Sequence, residues 1–174
     1  MEQRAESRSS KTVGRGHWLV YVVLAILGGL LTFVGARAQQ KATDDAVFRK
    51  LTDEYCAAWS TGNADAPAKF YDKSNGLIFY DVAPFSYGNW AQYHDEVQKY
   101  FLDGAHIIKL TAGKDLRVSR RGLIAWTTVP MHFASTDKSG KTQEMDLRYT
   151  GIWEKHGATW LLVHEHISAP LPGN

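Results

Sequence analysis

Proton transfer needs a carboxylate or an imidazole held where its surroundings displace its pKa, and three residues of this chain are candidates. Asp81 ends the apolar run Leu77-Ile78-Phe79-Tyr80, a position where an unpaired carboxylate is costly to bury. His164 and His166 stand two apart in Trp160-Leu161-Leu162-Val163-His164-Glu165-His166-Ile167, so a regular strand puts both imidazoles on one face. Asp81 or His164 can act as general base toward a carbon acid while the other histidine and a tyrosine hydroxyl polarise a carbonyl. The chemistry such a set makes available is proton transfer without a cofactor. Each residue also has a structural reading: the imidazoles bonded to backbone or tyrosine partners, and Asp81 as a cap or a turn bond to the Tyr87-Gly88 loop. A zinc site would need His132 or Asp81 to complete it, and no spacing fixes a full ligand set, so neither metal nor cofactor is expected.

The histidines require a hairpin to hold them. Residues 147–153 and 160–167 are mainly β-branched, aromatic or large aliphatic, and the Glu-Lys-His-Gly-Ala-Thr segment between them carries a turn glycine. A two-residue turn at His156-Gly157 and a four-residue loop over 156–159 give the same parity. Either pairs Trp153 near Trp160 and Tyr149 near His164 or His166. One face then carries Trp160, Leu162, His164, His166 and Ser168, and the other Leu161, Val163, Glu165 and Ile167. The first is read as pocket wall. Leu161, Val163 and Ile167 opposite it form an apolar stripe to be covered by another subunit or a sheet edge, and a homodimer is the expected cover.

Before the hairpin, the apolar spacing of Val47, Leu51, Tyr55, Ala58 and Trp59 predicts a helix from Thr43, capped by Thr43 or Asp44 and stopped at Thr61-Gly62-Asn63. Pro67 opens a second short helix over 65–71, and Asn75-Gly76 turns the chain into a strand over 77–82. Trp90, Tyr93, Val97, Tyr100 and Phe101 mark a third helix. Strands follow over 106–118, 123–135 and 142–155, separated by Arg120-Arg121-Gly122 and Asp137-Lys138-Ser139-Gly140. This order is α+β: a curved antiparallel sheet wrapped around three helices. Tyr55, Trp59, Tyr80, Trp90, Tyr93, Trp126 and Tyr149 are its candidate ligand platform, with core packing as their alternative role.

Residues 18–36 contain no charge across nineteen positions, and at 1.5 Å per residue they reach roughly 28 Å, near the thickness of a bilayer core. The run can remain as an anchor, or be cut as a signal peptide after Ala36-Arg37-Ala38. Arg4, Arg8, Lys11 and Arg15 precede it, which places the amino terminus in the cytoplasm and the domain outside. The organisation is thus a basic tail over 1–17, a membrane-inserting segment over 18–38, a linker over 39–42, one domain over 43–171 and a tail over 172–174. The net charge of +2 is concentrated at the start. Removing the five basic and two acidic residues before position 39 from the 20 and 18 leaves 15 and 16, a net of −1. A nearly neutral domain without a basic stripe is a poor nucleic-acid binder. Cys56 stands alone, which rules out an internal disulfide, and it sits in an apolar helical pattern as a buried thiol.

Phe79-Tyr80-Asp81-Val82-Ala83-Pro84 with Gly88, the Ala125-Trp126 strand, Arg148-Tyr149 to Trp153, and the close Trp160-Leu161-Leu162-Val163-His164-Glu165-His166-Ile167-Ser168-Ala169-Pro170 resemble the SnoaL-like branch of the nuclear-transport-factor-like fold. The last segment is also similar to the association domain of calcium/calmodulin-dependent kinases. The resemblance implies a cone enclosing a pocket for a small hydrophobic or aromatic molecule, with homodimers through the outer sheet face. It does not imply one reaction, since such domains include cyclases, isomerases, dehydratases and pure binding or assembly modules. The association domain's pocket arginines fall on Thr128 and Gly151, so the resemblance carries over no anion site. The expected function is an extracytoplasmic SnoaL-like domain that binds a small molecule or assembles, with a cofactor-free enzyme using Asp81, His164 and His166 as the alternative.

Overall fold

The computed structural model describes residues 15–74, 76–82 and 86–171, with backbone alone at 15–19, 27–28 and 30–31. Most of the expected basic tail and the tail over 172–174 lie outside these residues. The chain divides into two compact units, Met1–Ala42 and Thr43–Asn174. Helix α1 (Arg15–Trp59) supplies the described part of the first unit and the opening of the second. The backbone stays helical through 36–42 because no glycine or proline interrupts the chain between Gly35 and Gly62. The expected linker is therefore helical, and Thr43 and Asp44 are not caps. Asp44 instead accepts from Arg120 Nη1 at 2.9 Å. Among the described residues no helix is long and apolar enough to cross a membrane. The apolar run over 18–36 includes positions outside the described side chains.

In the second unit a 3-10 turn (Pro67–Phe70) takes the place of the expected second helix. Helix α2 (Trp90–Val97) is capped by Asn89 Oδ1, which accepts from Gln92 N at 2.9 Å, and it widens into a π turn over Gln98–Leu102. Six strands follow the order β1 (Ile78–Tyr80), β6 (Thr159–Ser168), β5 (Thr142–His156), β4 (Ile124–Asp137), β2 (Ala105–Ala112), and β3 (Arg117–Arg121) pairs with β4 beyond β2. The α+β cone stands, but the sheet is mixed and not antiparallel throughout. Strand β1 runs parallel to β6, because helix α2 and four further strands separate the two and no hairpin dictates their direction. The single strand expected over 106–118 is two strands. Pro130 has no N–H for the ladder, and Gly113 N donates to the Pro130 carbonyl at 2.8 Å, so the chain pulls away from β4 between Ala112 and Arg117.

The core lies between α1 and the concave sheet face. Phe48 packs on Trp153 and Trp160 at ring distances of 5.9 and 5.0 Å, and Ala125, Val129, Met131, Leu147 and Leu162 close the layer. Opposite, on the convex face, Trp126, Ile152 and His164 share a row.

Candidate functional site

The site is decided by one inserted residue in β6. The hairpin turns on Gly157-Ala158, with Gly157 at φ 61°, so His156 faces Thr159 and Trp153 faces Leu162. Ile152 then pairs with His164, which leaves Val163 as the extra residue of a β-bulge. A bulge reverses the alternation for everything after it. Glu165 and Ile167 turn inward, and His164 and His166 turn to the convex face. Glu165 is 1% exposed. His164 Nδ1 lies 3.1 Å from the Ile78 carbonyl, and Tyr80 meets the two imidazoles edge-on at 5.6 and 6.0 Å. Burial and the nearby His166 hold His164 below the ordinary histidine range. The expected convergence of Asp81, His164 and His166 does not form, and Ile167 is lost from the expected outer stripe.

Inside the cone is a cavity of about 90 Å³. Tyr55 and Trp59 from α1, Tyr93 and Val97 from α2, and Phe101 and Leu102 from the π turn form one wall. Ile108, Leu110, Phe133, Met145, Leu147 and Ile167 form the sheet side, and Asp81 and Val82 just after β1 complete the lining. Of the expected aromatic platform, Tyr55, Trp59 and Tyr93 reach the cavity. Tyr80 and Trp126, 41% and 36% exposed, face outward on alternate strand positions. Trp90 packs against Tyr71 at a tilt of 36° and 4.7 Å, and Tyr149 is buried against Tyr55 at 5.4 Å, both away from the cavity lining.

Behind the Tyr55 and Tyr93 rings lies Glu165. Its Oε2 accepts from the hydroxyls of Tyr55 at 2.8 Å and Tyr71 at 3.0 Å, and its Oε1 accepts from Tyr93 at 2.9 Å. Trp59 Nε1 donates to the Tyr71 oxygen at 3.3 Å. Burial raises the Glu165 pKa from 4.5 to about 7; the hydroxyl donors oppose the rise and the charge of Asp81 adds to it. Burial, then the Glu165 charge, pushes Tyr55, Tyr71 and Tyr93 well above their ordinary range. Asp81 is half-buried at the cavity; burial lifts it to about 6 against one bond from Val82 N at 2.6 Å. Among the described residues no three His, Cys, Asp or Glu side chains gather as a metal set.

This arrangement of cone, cavity and mixed sheet has counterparts. Residues 49–172 match the profile of the SnoaL-like domain. The chain belongs to the SnoaL-like family. No curated protein matches it. Among solved structures it is similar to a nuclear transport factor 2-like superfamily protein from Salmonella enterica, with 16% identity and a TM-score of 0.67 over 78% of this chain and 96% of that one. It is similar to a candidate calcium/calmodulin-dependent protein kinase II association domain from Xanthomonas campestris, with 25% identity and a TM-score of 0.62 over 73% and 87%. A candidate dehydratase of the NTF2-like family from Streptomyces avermitilis aligns at 14% identity and a TM-score of 0.62 over 75% and 97%.

Within this SnoaL-like domain the carboxylates have separate positions. Asp81 reaches the cavity, is ionised at neutral pH, and can take a proton from a bound molecule. Glu165 is sealed behind the wall and holds three hydroxyls in place. Sequence reasoning missed both Glu165 and Tyr71. The available signal was a lone charge in the Val163, Glu165, Ile167 stripe, which an apolar dimer face does not explain. Cys56 is free and buried, and burial pushes its thiol to about 12, so it does not act as a nucleophile.

Proposed function

We propose that this SnoaL-like domain binds a small, largely apolar molecule inside the cone, with Asp81 meeting the polar end of the ligand. The observation that carries this reading is the cavity itself: about 90 Å³, apolar walls, and one carboxylate lifted to about 6 on its lining. One water needs roughly 10–15 Å³ by a comparable measure, so the space accommodates a molecule several times that size. In its enzymatic form the reading is a cofactor-free proton transfer of the isomerase or dehydratase type, with Asp81 as base and Glu165 positioning Tyr55 and Tyr93. The test is a fragment screen by ligand-observed NMR against the wild type and Ile167→Trp, which fills the cavity. Binders retained in both proteins would place the ligand elsewhere and end the proposal. Deuterium exchange into a bound carbon acid, lost in Asp81→Asn, distinguishes catalysis from binding.

Two further features belong to the same reading. The likeness to an association domain supports oligomeric assembly, and Ile78, Tyr80 and Trp126 are exposed on the convex sheet face that a second copy would cover. Light scattering should show a dimer that Trp126→Lys dissociates; a wild type monomeric at high concentration contradicts it. The uncharged run over 18–36, with basic residues before it, supports an extracytoplasmic domain, anchored or released. An alkaline phosphatase fusion after Gln40 should be active, and an inactive fusion refutes that placement.

A further inference from the structure

We infer that the cavity's ligand is a protonated amine carrying an apolar or aromatic body, its ammonium paired with Asp81 and its body enclosed by the aromatic wall. The inference rests on the cavity reading above and assigns its ligand class.

Charge is the first observation. Among the described residues the lining contains no Lys, Arg or His, and Asp81 is its one carboxylate. The sole hydrogen bond to Asp81 among the described residues comes from Val82 N, a neutral donor. Ala83, Pro84 and Phe85, which follow, carry no charge. No lysine or arginine among the described residues acts on Asp81: burial and the Val82 N–H bond are what displace its carboxyl group. Glu165, the second carboxylate, adds charge of the same sign from behind the wall. An anionic ligand would be buried against two carboxylates with no cation on the described lining to offset them. A neutral ligand would leave the Asp81 charge desolvated. A cation removes that penalty.

The walls are the second observation. Tyr55, Trp59, Tyr93, Phe101 and Phe133 give the cavity five aromatic side chains, and ring faces attract an ammonium group as well as an aromatic body. The Tyr55 and Tyr93 hydroxyls are turned to Glu165, so they donate away from the ligand and offer it no competing anion site. Charge and wall chemistry therefore select the same class.

The pH dependence follows from the groups that face Asp81. These are Tyr93 on α2, Glu165 on β6 and Tyr87 after β1, with Glu96 acting on Tyr87 in turn. The tyrosines stay neutral below their raised values, so Asp81 and Glu165 alone titrate near neutrality. A cation that returns Asp81 from about 6 toward 3.8 is coupled to that ionisation by about two pKa units, or on the order of 100-fold in affinity. Amine affinity should rise from pH 5 to 8 and fall only when the amine itself loses its proton, near about 10.

The experiment is calorimetric titration of the full chain at pH 8 with 2-phenylethylamine, 2-phenylethanol and phenylacetate, which share one aromatic body. The amine should bind about 10- to 100-fold more tightly than the alcohol, and phenylacetate should not bind. Asp81→Asn, which preserves shape, should bring the amine-to-alcohol ratio close to one. In the wild type the same ratio should fall as the pH is lowered to 5, a readout that needs no variant to fold. Equal binding of amine and alcohol, tighter binding of phenylacetate, or a preference that survives in Asp81→Asn overturns the amine inference and leaves the cavity reading intact. Failure of all three probes to bind overturns both.

Discussion

Replacing Glu165 with Gln should make the protein's stability less sensitive to pH, and the size of the change follows from the site. Glu165 is 1% exposed, and its pKa is raised from 4.5 to about 7, chiefly by burial. A carboxyl group that holds its proton more tightly when folded favours the folded state at low pH. That contribution is complete below about 4.5, declines as the pH rises, and is gone above about 7. A shift of 2.5 units at about 1.36 kcal/mol per unit is about 3 kcal/mol. Gln keeps the shape and cannot ionise. Its oxygen can accept from the Tyr55 and Tyr71 hydroxyls, while its amide donates to Tyr93, whose hydroxyl rotates to accept. Urea unfolding followed by tryptophan fluorescence at pH 4.5 to 8 measures both proteins. The stability of Glu165→Gln relative to wild type should increase by about 3 kcal/mol across that range. Asp81 titrates there too but is present in both, so most of its effect cancels. A difference that stays flat with pH, or grows toward acid, would refute the account of a carboxyl held protonated by burial.

Tyr93→Phe removes the donor to Glu165 Oε1 and should cost about 1.5–3 kcal/mol above about pH 7, where Glu165 is ionised in the folded protein, and less below it; a cost independent of pH would contradict the bond to a charged acceptor. The Tyr149 hydroxyl is buried without a hydrogen-bond partner among the described residues, so Tyr149→Phe should be neutral or stabilising by up to about 1 kcal/mol in thermal unfolding. A Cβ on Gly151 would sit 2.6 Å from that hydroxyl and 2.9 Å from Leu162 Cδ2, so Gly151→Ala should destabilise by about 1–3 kcal/mol. Tyr149→Phe should recover part of that loss, and strict additivity of the two substitutions would show that the clash is with Leu162 alone.

The order of helices and strands, the α+β class and the SnoaL-like membership were legible in the chain, because each rests on local signals. The 3.6-residue spacing of Leu51, Tyr55 and Trp59 gives an amphipathic helix wherever it packs, and Gly157 with φ 61° marks a hairpin turn within one residue of the one expected. Asp81 is marked by a local rule as well, since a carboxylate closing an apolar strand is costly to bury without a function or a partner. Tertiary structure decided the rest. The parallel pairing of Ile78 with His164 joins residues 86 positions apart, and no local period specifies it. The break between β2 and β3 appears only when Pro130 lies opposite Gly113. The identity of the buried carboxylate turned on Val163. Two-residue alternation tells which side chains share a face until one residue is inserted, and whether one is inserted depends on the ladder with the neighbouring strand. With Val163 bulged, Glu165 meets Tyr55, Tyr71 and Tyr93 from three other parts of the chain, while the two histidines that looked like the site face outward.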